Sequence, residues 1–323
     1  MQSTKQKNAS VSGKAFLITT LSALVLTGGL RIYQLFTNIE ANTGFFKSQN
    51  WTVYAVYTAF ILSMVVLAVL GFRGVRIPAS RPVLRKDRAM VFSSFLFALG
   101  LSTDVALSIV ELIRAFRSTG GSGTLLANSL FTDGMLVVLL RTICAMLSCV
   151  YFVLVALSYA TENATYVQYK LLALSPLFWA MFRLVSRFMT KISFLEVSEL
   201  VFELIELAFM ALFFLSFARV SSQIDQKNEM KKVVRYGSLA AFSALFLSLT
   251  RLVCVVGGRQ ELLAAGFIFS LADFGFGIFT LCYLYLHLQH GRPASEDNDL
   301  ESEAQIQAME TKTELDDTFL DEA

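Results

Sequence analysis

Four glutamates, Glu196, Glu199, Glu203 and Glu206, fall within the stretch Phe194 to Arg219, FLEVSELVFELIELAFMALFFLSFAR. Their spacings of three, four and three put all four carboxylates on one stripe of a helix. The stretch is also long and apolar enough to cross a bilayer, where an ionised carboxylate in hydrocarbon costs at least about 3 kcal/mol. The stripe must therefore face protein, a cation or water. Carboxylates in that setting can take up a proton, hold a cation or pair with a guanidinium. The chain offers partners for each: Asp104 and Asp273 lie in two other apolar runs, and Arg31, Arg141, Arg183, Arg187 and Arg251 in four more.

The elements that must position these groups are membrane spans. Runs of roughly 20 apolar residues, the length that crosses a core about 30 Å thick, recur at 15–37, 51–72, 90–114, 135–159, 170–189, 194–219, 236–256 and 262–286. A hydrophobic fraction of 55% with 16% charged residues excludes a soluble domain of this length. The fold class expected is all-α: a polytopic bundle of eight transmembrane helices spanning 15–290. Residues 1–14 are read as a cytoplasmic lead and 291–323 as a disordered acidic tail, too poor in apolar residues to fold alone.

Charge distribution orients the bundle. Lysines precede the first span, and arginines and lysines crowd the loops near 73–88 and 219–235, whereas the alternate loops hold few cations. Cationic loops stay in the cytoplasm, so both termini are expected there. The first run has a basic start but no convincing cleavage site, and is read as a retained helix. The second carries no charge and is expected to face lipid. Gly28 and Gly29 are expected to allow close helix approach, and Pro176 to kink the fifth span.

At 1.5 Å per residue, Arg31, Arg141, Arg183 and Arg251 each lie about 10 Å below the outer boundary, while Asp104, Glu206 and Asp273 lie about 17 Å down. This predicts an outward-opening vestibule with an arginine tier above an acidic tier. Across the fifth hairpin, Arg187 should face Glu196, and Arg183 should face Glu199 or Glu203. Asp104, Glu206 and Asp273 have no arginine at their own expected depth, and are left to bind a proton or cation. Arginines following apolar runs in GGLRIYQ, AMFRLVS and SLTRLVC also hint at repeated hairpins.

The segment Arg31-x-Tyr33-Gln34, leading to Thr43-Gly44-Phe45, resembles a recurring feature of uncharacterised multi-pass membrane proteins of Gram-positive bacteria. The resemblance covers about twenty residues and implies a plasma-membrane location, with no activity attached.

Catalytic signatures are missing. There is no HExxH, GxSxG or phosphate loop. Cys144, Cys149, Cys254 and Cys282 fall inside spans and read as packing residues, and His287 and His290 as interfacial. No cofactor or metal is expected, and basic clusters without aromatic platforms argue against nucleic acid. The charged interior is compatible with a structural ion-pair network, a solute or ion site, or a ligand-sensing pocket. The favoured reading is transport or binding of a small polar or charged solute. The alternative is a non-catalytic scaffold or sensor whose acidic tail, 295–323, recruits a cytoplasmic protein.

Overall fold

Backbone donors and acceptors have no water to bond in hydrocarbon, so an apolar run crossing a bilayer is driven to satisfy them within a helix. The computed structural model describes residues 13–38, 51–73, 87–118, 134–163, 165–189, 197–224, 226–260, 263 and 268–289. Its eight long helices are α1 (Gly13–Asn38), α2 (Trp51–Arg73), α3 (Arg88–Ser118), α4 (Met135–Thr161), α5 (Ser175–Met189), α6 (Val197–Ser221), α7 (Gln226–Val256) and α8 (Leu271–Gln289). Eight helical segments are long and apolar enough to span a membrane, the fifth when the turn before α5 is included, and no strand occurs among the described residues. The chain is a multi-pass α-helical membrane protein. The lead, the acidic tail, Glu196 and His290 lie outside the described residues.

Helices α3 to α8 close a ring in chain order, with α8 returning to pack against α3. The α1–α2 pair sits outside that ring against α7, and α1 also touches α8. The most enclosed helices are α7, α8 and α6, at 72%, 67% and 56% buried over their apolar windows. The least enclosed is α2, at 22%, which carries no charge before its terminal Arg73. The helix bearing the carboxylate stripe is therefore central. Many serine and threonine hydroxyls inside the spans return their hydrogen bonds to their own helix, as Thr20 does to the Phe16 carbonyl and Ser248 to that of Ala244.

Two boundaries differ from the sequence expectation. Pro176 does not kink a helix. It stands in the first turn of α5, directly after a 3-10 turn at Leu172–Leu174, where its missing N–H has no intrahelical partner to lose. The eighth helix begins at Leu271, not near 262. Ser270 caps it, its Oγ accepting the Asp273 N–H at 3.3 Å. That start is recessed, because a Cβ built on Gly100, deep in α3, would meet Ala272 Cα at 2.6 Å. Asp273 thus lies in the first turn of a short helix, and counting its depth from residue 262 misplaces it.

The close approach expected at Gly28 and Gly29 is not made there: a Cβ on either would meet nothing within 4 Å. It occurs between α3 and α8, where a Cβ on Gly275 would lie 2.8 Å from Phe97 Cα. Below the acidic groups this contact seats an aromatic core. Phe97 is fully buried, with Phe152, Trp179, Phe214, Phe276 and Phe279 at centroid distances of 4.5–6.1 Å. Phe97→Ala is expected to cost about 3 kcal/mol, the low end for deleting a core aromatic. Lipid is as apolar as the core, so only the packing contacts are lost. Unfolding in detergent by dodecyl sulfate titration measures it, and a cost indistinguishable from zero would show that the ring cluster does not hold α3, α4 and α8 together.

Candidate functional site

The carboxylate stripe of α6 meets arginines from three helices. Glu203, the most contacted, is fully buried. It accepts Arg187 Nε at 2.7 Å and Arg251 Nη2 at 3.3 Å, with Arg183 Nη2 at 3.7 Å. One turn nearer the helix start, Glu199 pairs with Arg31 of α1 and stands 3.7 Å from Arg251. Arg31 also donates to Gln34 Oε1 at 2.6 Å, and its guanidinium lies 5.8 Å from the Phe202 ring centre. Arg183 of α5 forks the Asp273 carboxylate, with Nη1 on Oδ1 and Nη2 on Oδ2, the latter at 2.8 Å. The same guanidinium lies over the Trp179 ring at 5.2 Å. Two parallel charge-assisted bonds fix both groups in orientation as well as charge.

Asp104 of α3 is partly buried beside this network. It accepts the Trp179 indole N–H at 2.8 Å, and its charge acts on Arg183. Arg141 of α4 stands apart, donating to Ser108 Oγ at 2.6 Å and lying 3.6 Å from Glu111. Glu206 differs from every other acid of the cluster. It is fully buried, and neither carboxylate oxygen has a hydrogen-bond partner.

Several expected pairings are therefore replaced. Arg183 takes Asp273, not Glu199, and reaches Glu203 only at 3.7 Å. Arg187 turns to Glu203, while its expected partner Glu196 lies outside the described residues. Asp273 is not a lone midplane acid but half of a forked pair, because its helix starts at the level of the arginines. Asp104 has an indole donor that residue spacing could not reveal. Arg141 is not part of the arginine group. Only Glu206 keeps the unpartnered state expected of it, and the chain's other candidate acids do not.

The shape also departs from expectation. Arg31, Arg183, Arg251, Glu199, Glu203, Glu206 and Asp273 are all buried, and only Arg187 is as much as a quarter exposed on its side chain. The cluster is closed in this conformation. A shallow surface groove of about 460 Å³ lies on the outer face of α1 against Ile18, Val25 and Leu26. His287, in the last turn of α8, is buried in the bundle, 2.9 Å from the Tyr283 carbonyl through Nδ1. Trp179 and Ser270 were not singled out in the sequence, and Gln34 only as part of the Arg31-x-Tyr33-Gln34 segment. Two carried a signal: Gln34 lies one turn from Arg31, and Ser270-x-x-Asp273 is a capping pattern.

The chain matches no protein-family model, no curated protein and no solved structure. Its class rests on the fold and the cluster: an integral membrane protein of eight apolar helices whose interior is ion-paired across five of them.

Proposed function

We propose that this protein binds or transports a small polar or charged solute through the region around its buried charge cluster. The observation that supports this most is Glu206, a carboxylic acid placed in a membrane interior with no donor on either oxygen. A network serving cohesion alone gains nothing from such a group, since an apolar side chain of similar size would cost less to bury. In this reading the protein sits in the plasma membrane with both termini in the cytoplasm, as the cationic loops and the resemblance at Arg31–Phe45 imply. The cluster then opens to the outside in an alternative arrangement, its arginines attracting an anionic group while Glu206 handles a proton or cation.

Reconstitution into proteoliposomes tests it. Glu206→Gln is close to isosteric with the neutral acid, so the variant is expected to fold normally and to lose pH-gradient-driven uptake across a panel of small solutes. Wild-type vesicles that accumulate none of the panel, or a Glu206→Gln protein as active as wild type, would count against the reading. The second reading has an observation of its own: every arginine of the cluster already has an acidic partner. This favours a membrane scaffold whose tail, 295–323, recruits a cytoplasmic protein. Deleting that tail separates the two, since a solute site tolerates the loss.

A further inference from the structure

The arginines around α6 number four: Arg31, Arg183, Arg187 and Arg251. Four carboxylates answer them, Glu199, Glu203 and Asp273 by direct ion pairing, and Asp104 through its charge on Arg183. Glu206 stands apart from these four. It is fully buried, and no donor reaches either oxygen. The charged groups that act on it are Arg183 from α5, Arg251 from α7, Asp273 from α8 and Glu203 from its own helix. Two of these repel an ionised Glu206, and the two guanidiniums are already held by other acids.

We infer that Glu206 is a reversible proton-binding site of this protein, that it holds its proton in the closed conformation, and that its ionisation redistributes Arg183 and Arg251 among the acids. The inference deepens the solute-site reading, and rests on it only for the use made of the proton. A metal cation fits the place poorly. Such ions take several oxygen ligands at about 2.0–2.6 Å, and no group of three acidic, histidine or cysteine side chains among the described residues is placed to hold one. A proton needs only the one carboxyl. Deprotonation removes a neutral acid and leaves a carboxylate needing a cation. The nearest cations are shared guanidiniums, so an ionised Glu206 competes with Asp273 for Arg183 and with Glu203 for Arg251. Asp273 stands in the first turn of α8, so this competition bears directly on the seating of that helix. Further along α6, Met210 and Phe213 are fully buried, as is Phe276 of α8.

Infrared difference spectroscopy on the detergent-solubilised full chain tests this, because a protonated carboxyl absorbs apart from a carboxylate. Acids with ordinary pKa values are ionised at neutral pH. Wild-type protein is expected to retain a carboxylic-acid C=O band at neutral pH that disappears in alkali. The band is expected to vanish in Glu206→Gln, to persist in Asp104→Asn and to shift in frequency in Glu206→Asp. Absence of the band from wild type at neutral pH overturns the inference, and that measurement needs no variant. A band left unchanged by both Glu206→Gln and Glu206→Asp also overturns it. Should Glu206→Gln fail to fold, the shift in Glu206→Asp decides. No solute enters the experiment, so a failed uptake assay leaves the proton site standing, and active uptake without the band removes the proton site alone.

Discussion

Asp273→Ala is expected to destabilise the protein by about 3–5 kcal/mol, the cost of leaving a buried charge without its partner. Arg183 is forked on both oxygens of Asp273, and without it keeps only Glu203, at 3.7 Å, and the charge of Asp104. Arg183→Ala should cost a similar amount, because it strands Asp273 in the first turn of α8 and removes a cation from beside Glu203. The diagnostic variant is the double one. Removing both ends, as Arg183→Met with Asp273→Asn, is expected to recover most of the loss, since the penalty belongs to the uncompensated charge more than to the missing contact. Unfolding in mixed micelles gives the three values. Single-variant costs near the roughly 0–1 kcal/mol typical of exposed ion pairs would mean that water reaches this pair and the cluster is not closed.

The second large effect concerns the seam between α3 and α8. At Gly100 an added methyl would lie 2.6 Å from both Ala272 Cα and the Leu271 carbonyl oxygen, and at Gly275 it would lie 2.8 Å from Phe97 Cα. These are backbone atoms, which cannot turn aside as a flexible side chain can. Gly100→Ala is expected to cost about 1–3 kcal/mol through overpacking, and Gly100→Leu to prevent a stable monodisperse protein in detergent. Gly28→Ala is the matched control. Its Cβ would meet nothing within 4 Å, and alanine favours a helix over glycine by about 1 kcal/mol, so that variant should be neutral or slightly stabilised. Equal tolerance at Gly100 and Gly28 would show that α3 and α8 do not meet backbone to backbone.

Both predictions depend on features that were only partly legible in the sequence. The number of helices was readable because hydrocarbon imposes one length and one backbone solution on every span, and the runs from 15–37 to 236–256 all became helices. The carboxylate stripe was readable from period alone, since Glu199, Glu203 and Glu206 cannot leave one face of α6. Partners were not readable. Depth counting resolves a residue to about 1.5 Å along an axis but says nothing about which neighbour that residue turns toward, and so Arg183 was matched to Glu199 or Glu203, whereas it forks Asp273 and lies 3.7 Å from Glu203. The error at Asp273 has a plain cause: averaging apolarity over 262–286 hides the Ser270 cap, which fixes where the helix starts. Glycines misled for a related reason. Gly28 and Gly29 look like a contact pair because they are adjacent, yet close approach is a property of two surfaces, and the complementary one lies across Gly100 and Gly275.

The pairing of Arg31 with Glu199 joins positions 168 residues apart. A ribosome adding roughly 5–20 residues per second inserts α1 about 10–30 s before α6 can follow it. Through that interval the guanidinium of Arg31 sits in a nascent hairpin with Gln34 as its only polar companion on the same helix. Chains that stop short of α6 never neutralise it. The outermost helix pair therefore finishes assembling late although it is made first.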